Sequence, residues 1–178
     1  FLDHGACSHS DYQARGITSV ASPEIYYNQM NKVFEKIENH YGIPVVIASH
    51  PKSIYDEFNN PFNDRKLYKY RTAQLVRDSK FVIGQSLTTT SFPILFNKPL
   101  VFITTKELMS SRYYLDVRGL QYFINNHIID ADKFIKQKIN GCIKKIDSSI
   151  IKKYTKIMLK NNNSNEGSLA EIISTGLL

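Results

Sequence analysis

Residues 80–103 decide the fold: Lys80-Phe81-Val82-Ile83-Gly84-Gln85-Ser86-Leu87-Thr88-Thr89-Thr90-Ser91-Phe92-Pro93-Ile94-Leu95-Phe96-Asn97-Lys98-Pro99-Leu100-Val101-Phe102-Ile103. Two short apolar runs, Lys80 to Gly84 and Pro99 to Ile103, bracket a segment from Thr88 to Asn97 that reads as a helix through Phe92, Ile94, Leu95 and Phe96. A continuous rather than alternating apolar run is the pattern of a strand buried on both faces, as in a parallel sheet. The spacing takes a crossover helix and leaves no room for a hairpin, so the two strands are predicted to lie parallel.

The same alternation extends in both directions. Upstream, Ser22-Pro23-Glu24 reads as N-cap, first-turn proline and first-turn acid of a helix that runs to Tyr41, with Ile25, Met30, Val33, Phe34, Ile37 and Tyr41 on its apolar stripe and Gly42 as its stop. Ile43 to Ala48 is the next buried strand, Asn59-Asn60-Pro61-Phe62-Asn63-Asp64 is turn chemistry, Lys66 to Tyr70 is a short strand, and Thr72 to Asp78 is a two-turn helix. Downstream, helices are expected over Thr104 to Ser111 and Val117 to Asn125, with a last short strand at His127 to Ile129. Two basic amphipathic helices follow, Ala131 to Ile146 and Ser148 to Lys160; in the second, Ile150, Ile151, Tyr154, Ile157 and Met158 share a face opposite Lys152, Lys153, Lys156 and Lys160. Asn161 to Asn165 reads as a linker and Ser168 to Thr175 as a small closing helix. The expectation is an α/β fold, a parallel sheet with helices on both faces, in a domain over residues 1–130, with basic C-terminal helices over 131–178.

Composition bounds the function. At 178 residues, 42% hydrophobic and 22% charged, the chain is long enough for one domain or one half of an enzyme, and it is not disordered, collagen-like or coiled-coil. Its longest apolar runs fall far short of the roughly 20 residues that cross a bilayer. Cys7 and Cys142 lie far apart without CxxC spacing, which argues against a disulfide scaffold or structural zinc and for a reducing cytoplasm. The net charge of +7 is unevenly spread: residues 1–130 hold 14 Lys/Arg against 12 Asp/Glu, and 131–178 hold 9 against 4. The nearly neutral body argues against a nucleic-acid partner, while the basic helices suit docking or an anionic membrane surface.

In an open α/β sheet, ligands bind beyond the carboxyl ends of the strands. Ile43 to Ala48 runs out into Ser49-His50-Pro51-Lys52, and Lys80 to Gly84 into Gln85-Ser86-Leu87-Thr88-Thr89. His50 is suited to donate a hydrogen bond or proton to a phosphate oxygen, with Lys52 as a point charge beside it; the alternative is a structural histidine. Gly84 permits a sharp turn, and Ser86, Thr88 and Thr89 supply hydroxyls at a helix start, which reads as a phosphate cradle or as a hydroxyl-rich cap. His4, His9 and Asp11 read as a loop facing a cleft; together with Cys7 they also admit a metal reading, but a loop that contains Gly5, Ala6, Ser8 and Ser10 fits a mobile cleft loop as well, and no metal is expected. The chain holds no G-x-G-x-x-G, no G-x-x-x-x-G-K-[ST] and no G-x-S-x-G, which disfavours dinucleotide oxidoreductases, P-loop NTPases and typical hydrolase elbows.

Ile47-Ala48-Ser49-His50-Pro51-Lys52, Asp78 to Ser86 and Phe96 to Ile103 together resemble the nucleotide-sugar-binding C-terminal half of bacterial GT-B-fold glycosyltransferases that build surface polysaccharides, in particular sialyl- and polysialyltransferases and CDP-glycerol glycerophosphotransferases. The resemblance covers roughly residues 1 to 125 and implies a Rossmann-like donor lobe, one GT-B half, for capsule or lipopolysaccharide synthesis. It also implies that His50 contacts or protonates the leaving phosphate and that Ser86, Thr88 and Thr89 bind the donor's phosphate or carboxylate. The Ser-Ser form of the sialyltransferases is here Ser86-Leu87-Thr88-Thr89. The implied donor is a nucleotide sugar, CMP- or CDP-linked, used as substrate with no separate cofactor. The glycan acceptor would be held by an N-terminal lobe, and the chain's start at Phe1-Leu2-Asp3 reads as that of a strand cut from a longer protein. The expected location is cytoplasmic, with peripheral contact at the inner face of the plasma membrane. A nucleotide-sugar 2-epimerase lobe and a non-catalytic basic binding module are the alternatives.

Overall fold

The computed structural model describes residues 1–7, 9, 16, 19–85, 88–111, 113–139 and 141–159. It divides into two compact units, Phe1–Ile146 and Asp147–Leu178.

In the first unit, strands β1 (Ile47–Ala48) and β2 (Leu67–Tyr68) pair in parallel, as do β3 (Val82–Gly84), β4 (Leu100–Thr104) and β5 (Ile128–Asp130), with β4 central in the second ladder. Phe1–Asp3 joins the two ladders. Leu2 bridges Ala48 in parallel. The Ala48 N–H donates to the Phe1 carbonyl (2.8 Å), Asp3 N–H to the Ala48 carbonyl (3.1 Å), and Leu2 N–H to the Ile83 carbonyl of β3 (2.9 Å). Across the sheet the order is β2, β1, Phe1–Asp3, β3, β4, β5. With Phe1–Asp3 counted as the first strand, this is the 3-2-1-4-5-6 order of a Rossmann-like sheet, and the direction of winding switches between Phe1–Asp3 and β3.

Helix α1 (Pro23–Tyr41) starts and stops where its caps predict: Gly42 is left-handed (φ 64°) and its N–H returns to the Glu38 carbonyl. Its buried residues are Tyr26, Met30, Val33, Phe34 and Ile37, so Tyr26 takes the place expected for Ile25, which is 49% exposed. These side chains share one apolar cluster with Ile47, Ile83, Val101 and Ile103 from alternate strand positions and with Ala131 and Phe134 of α6 (Ala131–Lys136). The intervening Leu100 and Phe102 point the other way, toward Gly84 and the side of the sheet where Val117 of α5 (Tyr113–Phe123) lies. Helices thus flank both faces. Helices α2 (Thr72–Asp78), α3 (Ser91–Leu95, after a 3₁₀ turn at Thr88–Thr90) and α4 (Lys106–Ser110) complete the unit.

Three elements depart from expectation for identifiable reasons. The ladder of β1 is only Ile47–Ala48 because Pro44 has no N–H and the Val45 N–H donates to Glu38 Oε1 (2.8 Å) rather than to a neighbouring strand. Helix α6 ends at Lys136 instead of running to Ile146, because Lys36 of α1 donates to the carbonyls of Phe134 and Ile135 (2.7 Å each) and of Gln137, a cation closing a helix C-terminus. The chain beyond it turns back so that Lys144 pairs antiparallel with Leu100. Residues 131–146 therefore belong to the first unit, and Phe134 and Ile139 are buried in its core.

The second unit opens with α7 (Ser148–Tyr154), N-capped by the Asp147 carboxylate, which accepts from the Ser149 N–H at 2.7 Å. It continues as a π turn, Thr155–Leu159. That wider turn rotates Ile157 and Met158 off the stripe of Ile150, Ile151 and Tyr154, and both are exposed (59% and 54%). The expected linker at 161–165 and helix at 168–175 lie outside the described residues. No described helix is long and apolar enough to cross a membrane.

Candidate functional site

At the switch point, the carboxyl ends of Phe1–Asp3 and β1 meet through one carboxylate. Asp3 Oδ1 accepts the Gly5 N–H (3.0 Å); Oδ2 accepts the His50 N–H (3.3 Å) and the Tyr55 hydroxyl. Asp3 is buried, so three donors are what allow its charge to sit there. Burial first, then the Asp3 charge, pushes the Tyr55 phenol far above its ordinary range, which keeps it a neutral donor.

His50 is positioned by the turn that follows it. The Ser53 N–H bonds to the His50 carbonyl (2.9 Å), with Pro51 at the second turn position, where its fixed φ is suited. The Lys52 N–H donates to His50 Nδ1 (3.2 Å), a contact that favours the tautomer with its N–H at Nε2. The His50 ring lies 4.4 Å from that of His9, tilted by 50°. Gly5 makes this approach feasible: its left-handed backbone (φ 70°) turns the chain directly after His4, and His9 packs back at 3.8 Å from where a Cβ would stand. His4 is buried beneath, its pKa lowered to about 4 by burial and by His50 and His9, against the opposing pull of Asp3. At neutral pH it is an uncharged polar wall.

Across the switch point, Gln85 leaves β3 buried, accepting the Tyr26 hydroxyl on Oε1 (2.6 Å) and donating from Nε2 to Met30 Sδ (3.2 Å). Burial, then the Asp3 charge, raises the Tyr26 pKa well above its usual value. This hydrogen bond is why Tyr26 displaces Ile25 from the buried stripe.

The structure thus brings His4, His9 and His50 together, with Lys52 exposed in the adjoining turn. Ser86 and Asp11 lie outside the described residues. Thr88 opens the 3₁₀ turn after β3, and Thr89 is half-buried within it. Gly84 ends β3, as the Lys80 to Gly84 run predicts, but no sharp turn falls on it; its missing side chain leaves room for Leu100 and Phe102, which would stand 3.3 and 3.5 Å from a Cβ. Asp3, Tyr55, Gln85 and Tyr26 were missed. An acid directly after an apolar strand start was a usable signal for Asp3; the partners of the others are set only by the tertiary fold.

Two further features bear on chemistry. Where a dinucleotide site would place its pyrophosphate, at the start of the first helix, Glu107 Oε2 already accepts the Ser22 N–H at 3.0 Å. This carboxylate at the N-terminus of α1 accords with the missing G-x-G-x-x-G. Cys7, near Asp3 and Glu107, has its thiol pushed up to about 12, chiefly by burial, which keeps it protonated at neutral pH. No group of three or more His, Cys, Asp or Glu among the described residues is placed to hold a metal ion. The chain matches no protein-family model, no curated protein and no solved structure.

Proposed function

We propose that the chain is the donor-nucleotide-binding lobe of a glycosyltransferase that moves a sugar from a nucleotide-activated donor, CMP- or CDP-linked, onto a growing bacterial surface polysaccharide. The observation that carries this reading is the position of His50 at the switch point, with Nδ1 engaged by the Lys52 N–H. In the transfer, an acceptor hydroxyl oxygen bonds to the anomeric carbon as the bond from that carbon to the phosphate oxygen breaks; the electron pair stays on the phosphate, and the hydroxyl proton goes to a base. His50 Nε2–H donates to the oxygen on which charge develops, and Lys52 adds a point charge. Asp3 acts as a positioning residue, holding the His50 backbone. Glycan acceptor and base would sit on a second Rossmann-like lobe. The exposed Lys152, Lys153 and Lys156 would give peripheral contact with the anionic cytoplasmic face of the membrane.

Calorimetric titration with CMP, CDP, UDP and GDP tests the reading. A cytidine nucleotide is expected to bind, and His50→Ala to weaken it by about ten- to a hundredfold, the range for losing a hydrogen bond to a charged group, while circular dichroism stays unchanged. Silence from all four nucleotides, or a His50→Ala variant that binds like the parent, overturns it.

A further inference from the structure

Five described non-glycine residues hold a left-handed backbone: Asn63, Asp64, Asn97, Asn125 and Tyr70 (φ 61°). Four are Asn or Asp, whose short polar side chains tolerate that conformation; a bulky aromatic there is an outlier. Among the described residues, no packing contact compensates for it. Tyr70 is 81% exposed, and among the described residues no ring or cation packs on it, whereas the Arg71 guanidinium covers the neighbouring Tyr68 ring at 5.2 Å. The more exposed Phe58 and Tyr122 have ordinary backbones. An unfavourable conformation that presents an aromatic ring to solvent points to use by a ligand rather than by the fold.

Its place in the sheet says which ligand. The β1–β2 register, Ile47 with Leu67 and Ala48 with Tyr68, is extended by the Ser49 N–H donating to the Tyr68 carbonyl (3.0 Å). His50 and Tyr70 each follow two residues after the paired Ala48 and Tyr68, so the two parallel strands release them on the same rim. Lys69 Nζ, donating to the Ser53 carbonyl (2.8 Å), ties the end of β2 to the turn that begins at His50. An exposed ring therefore follows β2 on the rim where β1 releases His50, the residue to which the proposed function gives the phosphate.

We infer that Tyr70 is the stacking platform for the nucleobase of the bound nucleotide. The inference rests on the functional reading above and adds to it the residue that recognises the planar part of the ligand. Stacking is tolerant of base identity because every base offers a π-face, so Tyr70 contributes affinity for nucleotides as a class and none for a bare phosphate.

The test uses the absence of tryptophan from the chain. Tyr70→Trp installs a single reporter at the platform, and its fluorescence is expected to be quenched by CMP or CDP and left unchanged by inorganic pyrophosphate. In calorimetry, Tyr70→Ala and Tyr70→Gly are expected to weaken the nucleotide about tenfold, Tyr70→Phe to bind like the parent, and pyrophosphate affinity to be the same in all. Tyr70→Gly is also expected to melt higher than the parent, because glycine relieves the left-handed backbone; a merely structural tyrosine would instead lower stability and leave binding alone. If the parent binds nucleotide and Tyr70→Ala binds it equally well, or loses pyrophosphate in the same proportion, the platform is wrong while the functional reading stands. If the parent binds no nucleotide, both fall.

Discussion

At their carboxyl ends the strands release Asp3-His4, Ser49-His50, Gln85 and Thr104-Thr105, while at their amino ends Phe1, Ile43, Val45, Leu75 and Phe81 line a cavity of about 420 Å³. The contrast follows from parallel topology. Every strand ends on one rim, and all but β1 are followed by a helix that begins there, so N–H groups and positive helix ends collect on that rim and select side chains that accept. The Thr105 hydroxyl accepts from the Leu108 N–H, and the Asp130 carboxylate from the Lys133 N–H. The opposite rim collects helix C-termini and selects donors: the Gly42 N–H reaches the Glu38 carbonyl, Lys98 Nζ the Ser79 carbonyl, and the Ser79 hydroxyl the Val76 carbonyl. A rim of acceptors and imidazoles is suited to binding chemistry, and a rim of apolar packing to stability.

The sharpest way to break this division is Phe34→Ala. Phe34 is fully buried, 5.1 Å from the Phe1 ring and 6.1 Å from the Phe62 ring, with the Arg65 guanidinium 5.4 Å over its face. Truncation is expected to cost about 3–5 kcal/mol, read by urea unfolding, with nucleotide affinity of the folded protein unchanged. A variant of parental stability that binds less would mean that the amino end serves the ligand after all.

A somewhat smaller effect belongs to the carboxyl end and depends on pH. His4 has its pKa lowered from 6.5 to about 4 by burial, so between those values the unfolded chain binds a proton that the folded chain refuses. Stability therefore falls as pH drops through that window, by about 3 kcal/mol in all, and this contribution levels off below it. Asp3, His9 and His50 also act on His4, so the measurement compares the parent with His4→Gln. The variant is expected to lose this slope in urea midpoints taken between pH 6.5 and 4; parallel curves would refute the assignment.

What could be read in the sequence follows the range of the interactions involved. The bounds of α1 were legible because proline, acid and glycine at its ends act within one turn, and the parallel sheet because β-branched runs such as Val45-Val46-Ile47 carry their own burial signature. The shortened β1 was not, since it depends on Glu38 taking the Val45 N–H from another element. Nor was the early stop of α6, since it depends on Lys36 about a hundred residues upstream, at sequence separations of 98 to 101. The site divides in the same way. His50 was legible from its place after a strand, but its partner Asp3, 47 residues away, was not recognised, because a carboxylate becomes a hub only when the fold delivers its donors.

Gly84 supplies the smallest and most discriminating test of the two rims, because it lies one residue before Gln85, at the border between packing and chemistry. As a phosphate-approach glycine, it would lose ligand affinity on gaining a methyl group and keep its stability. As the structure places it, an added Cβ stands 3.3 Å from Leu100 Cδ1 and 3.5 Å from Phe102 Cε1, both side chains buried on the sheet face away from α1. The backbone at Gly84 is ordinary strand, so no conformational penalty arises and the cost is overpacking alone. Gly84→Ala is therefore expected to destabilise by about 1 kcal/mol, the low end for a methyl group forced into a packed core, with nucleotide affinity at the parental value in calorimetry. Loss of affinity at unchanged stability would return Gly84 to the phosphate cradle and move the border between the two rims one residue inward.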